Sequence, residues 1–171
     1  MNPMQQIRIE KVTLNIGAGK DEQLLKKGEK LLEQLTGVTP VKTITQKRIQ
    51  GWSLRPGLPI GVKTTLRGAQ ARAIIPRIVS AKENHLKETC FDGHGNISFG
   101  IPEYVDITDA KYDPEIGIIG LQACITLSRQ GYRVKKRKLK KSKVGPHHKV
   151  NKEEAMAFMK EQFNIKIGDD E

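Results

Sequence analysis

Cysteine is scarce: the 171 residues hold two, Cys90 and Cys124, in no CxxC arrangement. A disulfide framework is therefore excluded, and a reducing cytoplasm is the expected setting. Aromatic residues make up only 5% of the chain. Wide stacking platforms for splayed bases are not expected from so few rings. No apolar run approaches ~18 residues, so no membrane-spanning helix is expected. The start, MNPMQQIRIE, has no apolar signal region. Serine- and glycine-rich linkers and internal repeats are also missing. Residues 1–171 are thus expected to form a single domain, long enough to bury a real core.

Acidic residues are missing from two long windows. No Asp or Glu occurs between Gln34 and Lys82, which holds nine Lys or Arg, or between Ile116 and Lys152, which holds eleven. The other ten basic residues share the rest of the chain with all nineteen acidic ones, a net of −9 against a total of +11. A single charge run is usually a solvated face. Two acid-free windows in so short a chain point instead to a polyanion, because Lys and Arg beside phosphates release condensed counterions. The densest run is RVKKRKLKKSK, residues 133–143, with eight Lys or Arg in eleven positions. Such a run repels itself when free and orders against phosphates. It lies between a predicted strand and a predicted helix. It therefore reads as an extended hairpin or arm, about residues 131–149, projecting from the body.

Alternation in IRIEKVTLNI predicts a strand over 7–16, with a slip near Lys11 that reads as a bulge. The turn Gly17-Ala18-Gly19-Lys20 follows. Leu24, Leu25, Gly28, Leu31, Leu32 and Leu35 then form one helical stripe, with Asp21 as N-cap and Gly37 as a left-handed stop. Residues 41–66 read as two strands joined by a long loop, and such loops are usually functional or mobile. The next helix, AQARAIIPRIVSAKEN, contains Pro76, which predicts a kink or a break. FDGHGNISFGI gives a turn and a short strand, and LQACITLS a strong strand. Asn151 and Glu154 open a last helix with a capping box. FNIKI adds a short final strand. Mixed order with contiguous strands predicts an α+β fold, a mostly antiparallel sheet with helices on one face and a basic arm.

Gly17–Lys20 occupies the position of a phosphate-binding loop, but Asp21 stands where a nucleotide site needs Ser or Thr for magnesium. The loop is also too short to wrap two phosphates. A small nucleotide-hydrolysing enzyme is therefore disfavoured, while one RNA phosphate contact, or a plain tight turn, fits. Cys90, Asp92 and His94 lie close together, yet the second half of a zinc site is missing. A glycine-assisted turn is the better reading. No Ser/His/Asp or Cys/His set has a meaningful spacing. No cofactor is implied. In the loop 50–60, Trp52 and Arg55 either stack on RNA or, for Trp52, enter the core; the sequence leaves both open. A general nucleic-acid chaperone is the remaining alternative.

Three stretches, KVTLNIGAGK, RPGLPIGVKTTLRG and FDGHGNISFGI, resemble the signatures of the large-subunit ribosomal protein five family in order and spacing. The resemblance covers about residues 7–128, and the last helix fits too. The short N-terminus and the basic run resemble its archaeal and eukaryotic branch. It implies a non-enzymatic protein that binds 5S rRNA and large-subunit rRNA in the central protuberance, among neighbouring ribosomal proteins. It also implies contact with peptidyl-site tRNA through the 50–60 loop, at Trp52, Arg55, Pro56, Gly57 and Leu58. Asn15 and Thr65 correspond to two family contacts to 5S rRNA. At the third, a family Gln, this chain has Val38, so Thr39 or a backbone group must serve, or the contact is absent. Gly17, Lys20, Thr43, Lys42, Lys47, Arg48, Lys63 and Arg67 complete the expected rRNA set. The arm adds Arg133, Lys135, Lys136, Arg137 and Lys138.

Overall fold

The computed structural model describes residues 2–168. Within them the order is β1 (Ile7–Gly17), α1 (Glu22–Thr36), β2 (Val41–Ile44), β3 (Pro59–Leu66), α2 (Gly68–Ser80), β4 (His85–Leu86), β5 (Asn96–Ile101), β6 (Leu121–Arg129), α3 (Lys152–Phe163) and β7 (Lys166–Ile167). Five strands form one antiparallel sheet in the order β2-β3-β1-β6-β5, and β4 pairs in parallel with β7. The fold is α+β, as the mixed order predicts.

Period-two patterning decides which face is buried. Val12, Leu14 and Ile16 of β1, Val62 and Leu66 of β3, and Ala123, Ile125 and Leu127 of β6 are all nearly inaccessible. They share one cluster with Leu31, Leu32 and Leu35 of α1, Ile74, Ile75 and Ile78 of α2, and Ala155 and Met159 of α3. Each such Leu or Ile contributes roughly 1.5–3 kcal/mol by leaving water. The slip near Lys11 is a register shift between Ile9 and Lys11 against β6.

Helix α1 begins where the Asp21 carboxylate accepts the amides of Gln23 (2.8 Å) and Leu24 (3.2 Å). It ends at Gly37, whose φ of 66° is left-handed. Helix α2 runs through Pro76 without a break. The ring stands on the exposed side. There water can take over the carbonyl that loses its amide partner, so the helix survives. In α3 the predicted capping box between Asn151 and Glu154 is present. Among the described residues no helix is long and apolar enough to cross a membrane.

The basic segment forms no hairpin. Tyr132–Lys135 and Pro146–His148 are short 3-10 turns, with no strands between them. Paired strands would set like charges opposite one another across the ladder, which is destabilising. The chain instead makes a loop, closed by Ser142 N–H to the Val134 carbonyl (3.3 Å). Its base is fastened. Buried Tyr132 donates its hydroxyl to the His148 carbonyl (3.3 Å) and accepts the Val150 amide (2.9 Å). Arg129, 7% exposed, donates to Glu154 of α3 (2.6 Å) and to the Lys149 carbonyl (3.3 Å). Lys136 reaches back to Glu10 beside the β1 bulge.

Candidate nucleic-acid interface

With the helices covering one side of the sheet, the strand registers assemble the other side row by row. One row runs Val41, Lys63, Asn15, Gln122, Gly100 across β2, β3, β1, β6 and β5. The next holds Thr65, Thr13, Cys124 and Ser98. Lys11, Thr126 and Asn96 form a third. Thr43, Gly61 and Gly17 lie at the other end. No carboxylate stands in any of these rows. Apart from Val41, the Cys124 thiol and three glycines, their side chains are hydroxyls, carboxamides and two ammonium groups. Such groups meet phosphates and 2′-hydroxyls without like-charge repulsion. The Asn15 carboxamide donates to Gln122 at 3.4 Å, a long bond that an incoming acceptor can replace.

Most of the predicted contacts gather at or beside this face. Asn15, Thr43, Lys63 and Thr65 belong to it, and Arg67 is exposed where β3 ends. Thr39 is exposed just before β2, while Val38 packs against the core. Lys42 does not join them. It pairs in the ladder with Val62, on the helix side, and forms an ion pair with Glu29 of α1 (3.1 Å). Alternation along β2 puts Lys42 and Thr43 on opposite faces. Thr13, Gln122, Ser98 and Thr126 belong to the face although they are not among the predicted contacts. Their signal is the polar half of the alternation in IRIEKVTLNI, LQACITLS and NISFGI.

The Gly17–Lys20 turn is occupied by the fold. The amides of Ala18 and Gly19 both donate to the Ile60 carbonyl, at 2.9 and 3.0 Å. With the first helical amides capped by Asp21, no cradle of free N–H groups remains for a nucleotide. Lys20 is exposed beside it.

The long loop between β2 and β3 is a small second hairpin. Thr45 exchanges bonds with Leu58 and Gly57, and Ile49 pairs with Leu54. Leu54 is buried and anchors it, while Trp52 at the tip is 68% exposed. The core reading for Trp52 is thereby set aside. Lys47, Arg48, Arg55, Pro56 and Gly57 are exposed around it, and Leu58 is half-buried. In the basic loop Arg133, Lys135, Lys136, Arg137 and Lys138 are exposed too.

The segment at Cys90 is a turn. Asp92 accepts the amides of His94 (2.8 Å) and Asn96 (2.7 Å) and the Asn96 carboxamide (2.6 Å). Burial pushes its carboxyl up, but these bonds outweigh it and hold the group below its ordinary value. Among the described residues no group of three or more His, Cys, Asp or Glu is placed to hold a metal.

Comparison with known proteins decides among the remaining readings. The family model described as ribosomal protein L5 matches residues 2–55, and the model of that ribosomal family's C-terminus matches 59–158. The chain belongs to the ribosomal protein L5 family. Its relatives include the large ribosomal subunit protein uL5 of Nanoarchaeum equitans, 50% identical over 97% of this chain and 98% of that one. The uL5 protein of Sulfurisphaera tokodaii is 48% identical over 98% and 95%, and that of Methanosphaera stadtmanae 43% over 98% and 99%. The L5 family supplies structural, non-enzymatic constituents of the large ribosomal subunit, and this chain is of its archaeal type. The join between the two family models falls inside the Trp52 hairpin loop. Both parts build one sheet, since β1 and β2 come from the first and β3, β5 and β6 from the second.

Proposed function

We propose that the uncovered sheet face holds 5S rRNA, that the basic loop contacts large-subunit rRNA, and that the Trp52 hairpin touches peptidyl-site tRNA. The protein then acts as one domain in the central protuberance of cytoplasmic ribosomes, beside neighbouring ribosomal proteins. The observation that carries this reading is the carboxylate-free set of rows from Val41 to Gly100. Asn15, Thr13, Thr65 and Gln122 supply neutral donors and acceptors for sugar hydroxyls and base edges. Lys63, Arg67, Lys11 and Lys20 supply the charge that sets register on the phosphates. Thr39, exposed beside Val38, offers the hydroxyl for the third contact.

Gel shifts with 5S rRNA over a salt series test this. Affinity should fall linearly on a log–log plot, and unrelated RNA should compete weakly. Asn15→Ala and Thr65→Ala should each weaken binding by about 1–3 kcal/mol, because a partner group on the RNA is left unpaired. Equal affinity for unrelated RNA, or no loss in both variants, would overturn the assignment.

A further inference from the structure

One cavity lies where the two proposed RNA-facing surfaces meet. It opens between the basic loop and the Thr126–Asn96 end of the sheet face and encloses about 670 Å³. Ligand pockets are commonly of roughly 300–1,000 Å³. Tyr132, Val144 and Pro146 give it apolar walls, and Lys135, Lys143 and Lys149 line its rim. The Lys135 ammonium is held 4.8 Å above the Tyr132 ring centroid, so this cation is already positioned. Glu10 also borders the cavity, but its carboxylate is engaged by Lys136. Thr126 offers a hydroxyl from the sheet. Asn96 uses its amino group on Asp92 and keeps its carboxamide oxygen.

We propose that this cleft receives one extruded nucleotide of the bound 5S rRNA, with the base against Val144 and Pro146 and its flanking phosphates on the three lysines that line it, leaving Arg133, Arg137 and Lys138 of the same loop for large-subunit rRNA. The inference rests on the reading of the sheet face as the RNA-binding surface, since Thr126 and Asn96 belong to both. Apolar walls under a cationic rim match a flat base joined to anionic phosphates. A purely electrostatic RNA contact needs no such walls. The hydroxyl and carboxamide at the inner edge match the hydrogen-bonding edge of an unstacked base.

The test uses the full chain and 5S rRNA carrying 2-aminopurine at each unpaired adenosine in turn. Wild-type protein should change the fluorescence of one position far more than the rest. Val144→Trp fills the cleft while sparing every lysine. It should abolish that signal and weaken binding about ten- to a hundredfold, with the salt slope unchanged. Lys143→Ala with Lys149→Ala alters only exposed side chains and should diminish the same signal, which guards against misfolding of the first variant. Salt-dependent binding with no singled-out base, or a Val144→Trp protein that binds like wild type, overturns the cleft assignment and leaves the sheet face standing. If wild-type protein fails to bind 5S rRNA, the sheet-face reading falls. AMP titration followed by amide shifts at Thr126 and Val144 then decides the cleft. Shifts on AMP keep a nucleotide site there; no shift, or shifts only on a polyglutamate peptide, overturns it.

Discussion

A Cβ built on Gly61 would lie 2.7 Å from the Ile16 carbonyl oxygen and 3.0 Å from the Thr43 hydroxyl. The close approach of β1, β2 and β3 leaves no room for a side chain there. Gly61→Ala should therefore cost about 1–3 kcal/mol in urea unfolding, the penalty of overpacking a rigid site. This gives the glycine inside RPGLPIGVKTTLRG a structural task separate from RNA contact. Trp52 is the contrasting case, a large ring left in solvent. In assembled subunits Trp52→Ala should weaken peptidyl-site tRNA retention by about 1–3 kcal/mol, the range for one stacked base. The free protein should bind 5S rRNA unchanged. Asp92 links the fold to pH. Its folded carboxyl titrates below the ordinary value, so its stabilisation is present above that value and is lost as pH falls through the lowered one. Stability followed below about pH 4 should thus decline less steeply in Asp92→Asn than in wild type.

At the scale of elements, capping and patterning were readable and pairing partners were not. Asp21, Gly37 and the Asn151–Glu154 box marked helix ends because those bonds are local in sequence. At Pro76 the helix does not break, since the effect of the ring depends on which side of α2 meets water. The basic run gave its surface position but not its form. Its charge announced a surface element, but contacts of Arg129, Tyr132, Lys136 and Val150 with residues distant in sequence set its shape. Glu154 fastens that base through the buried Arg129 guanidinium and also accepts the Asn151 amide at 3.0 Å. Glu154→Ala should cost about 1.5–3 kcal/mol in stability, as loss of a hydrogen bond to a charged group does. It should also free the loop, seen as faster amide exchange from Tyr132 to Lys149.

Across the whole molecule, charge is divided by face as well as by segment. Acidic groups take structural partners on the helix side and in the connections. Lys30, for example, meets Asp113 and Glu115, and Arg77 lies 3.8 Å from Asp109. The rows of the bare sheet face keep none, and Glu10 at its bulged end is held by Lys136. Removing three loop cations together, Lys138, Lys140 and Lys141, should lower the salt slope of RNA binding by up to about three, roughly one for each phosphate left without its cation. The amino-acid sequence by itself determined the polyanionic partner, the α+β class, the helix ends and the family, because charge, period and caps are written in neighbouring residues. Only the tertiary structure decided that Lys42 sits with Glu29 and away from Asn15, that Gln122, Thr13 and Ser98 share one surface, and that Trp52 stands in solvent. Those outcomes depend on ladder register between strands far apart in sequence. A one-residue slip would turn every side chain to the opposite face.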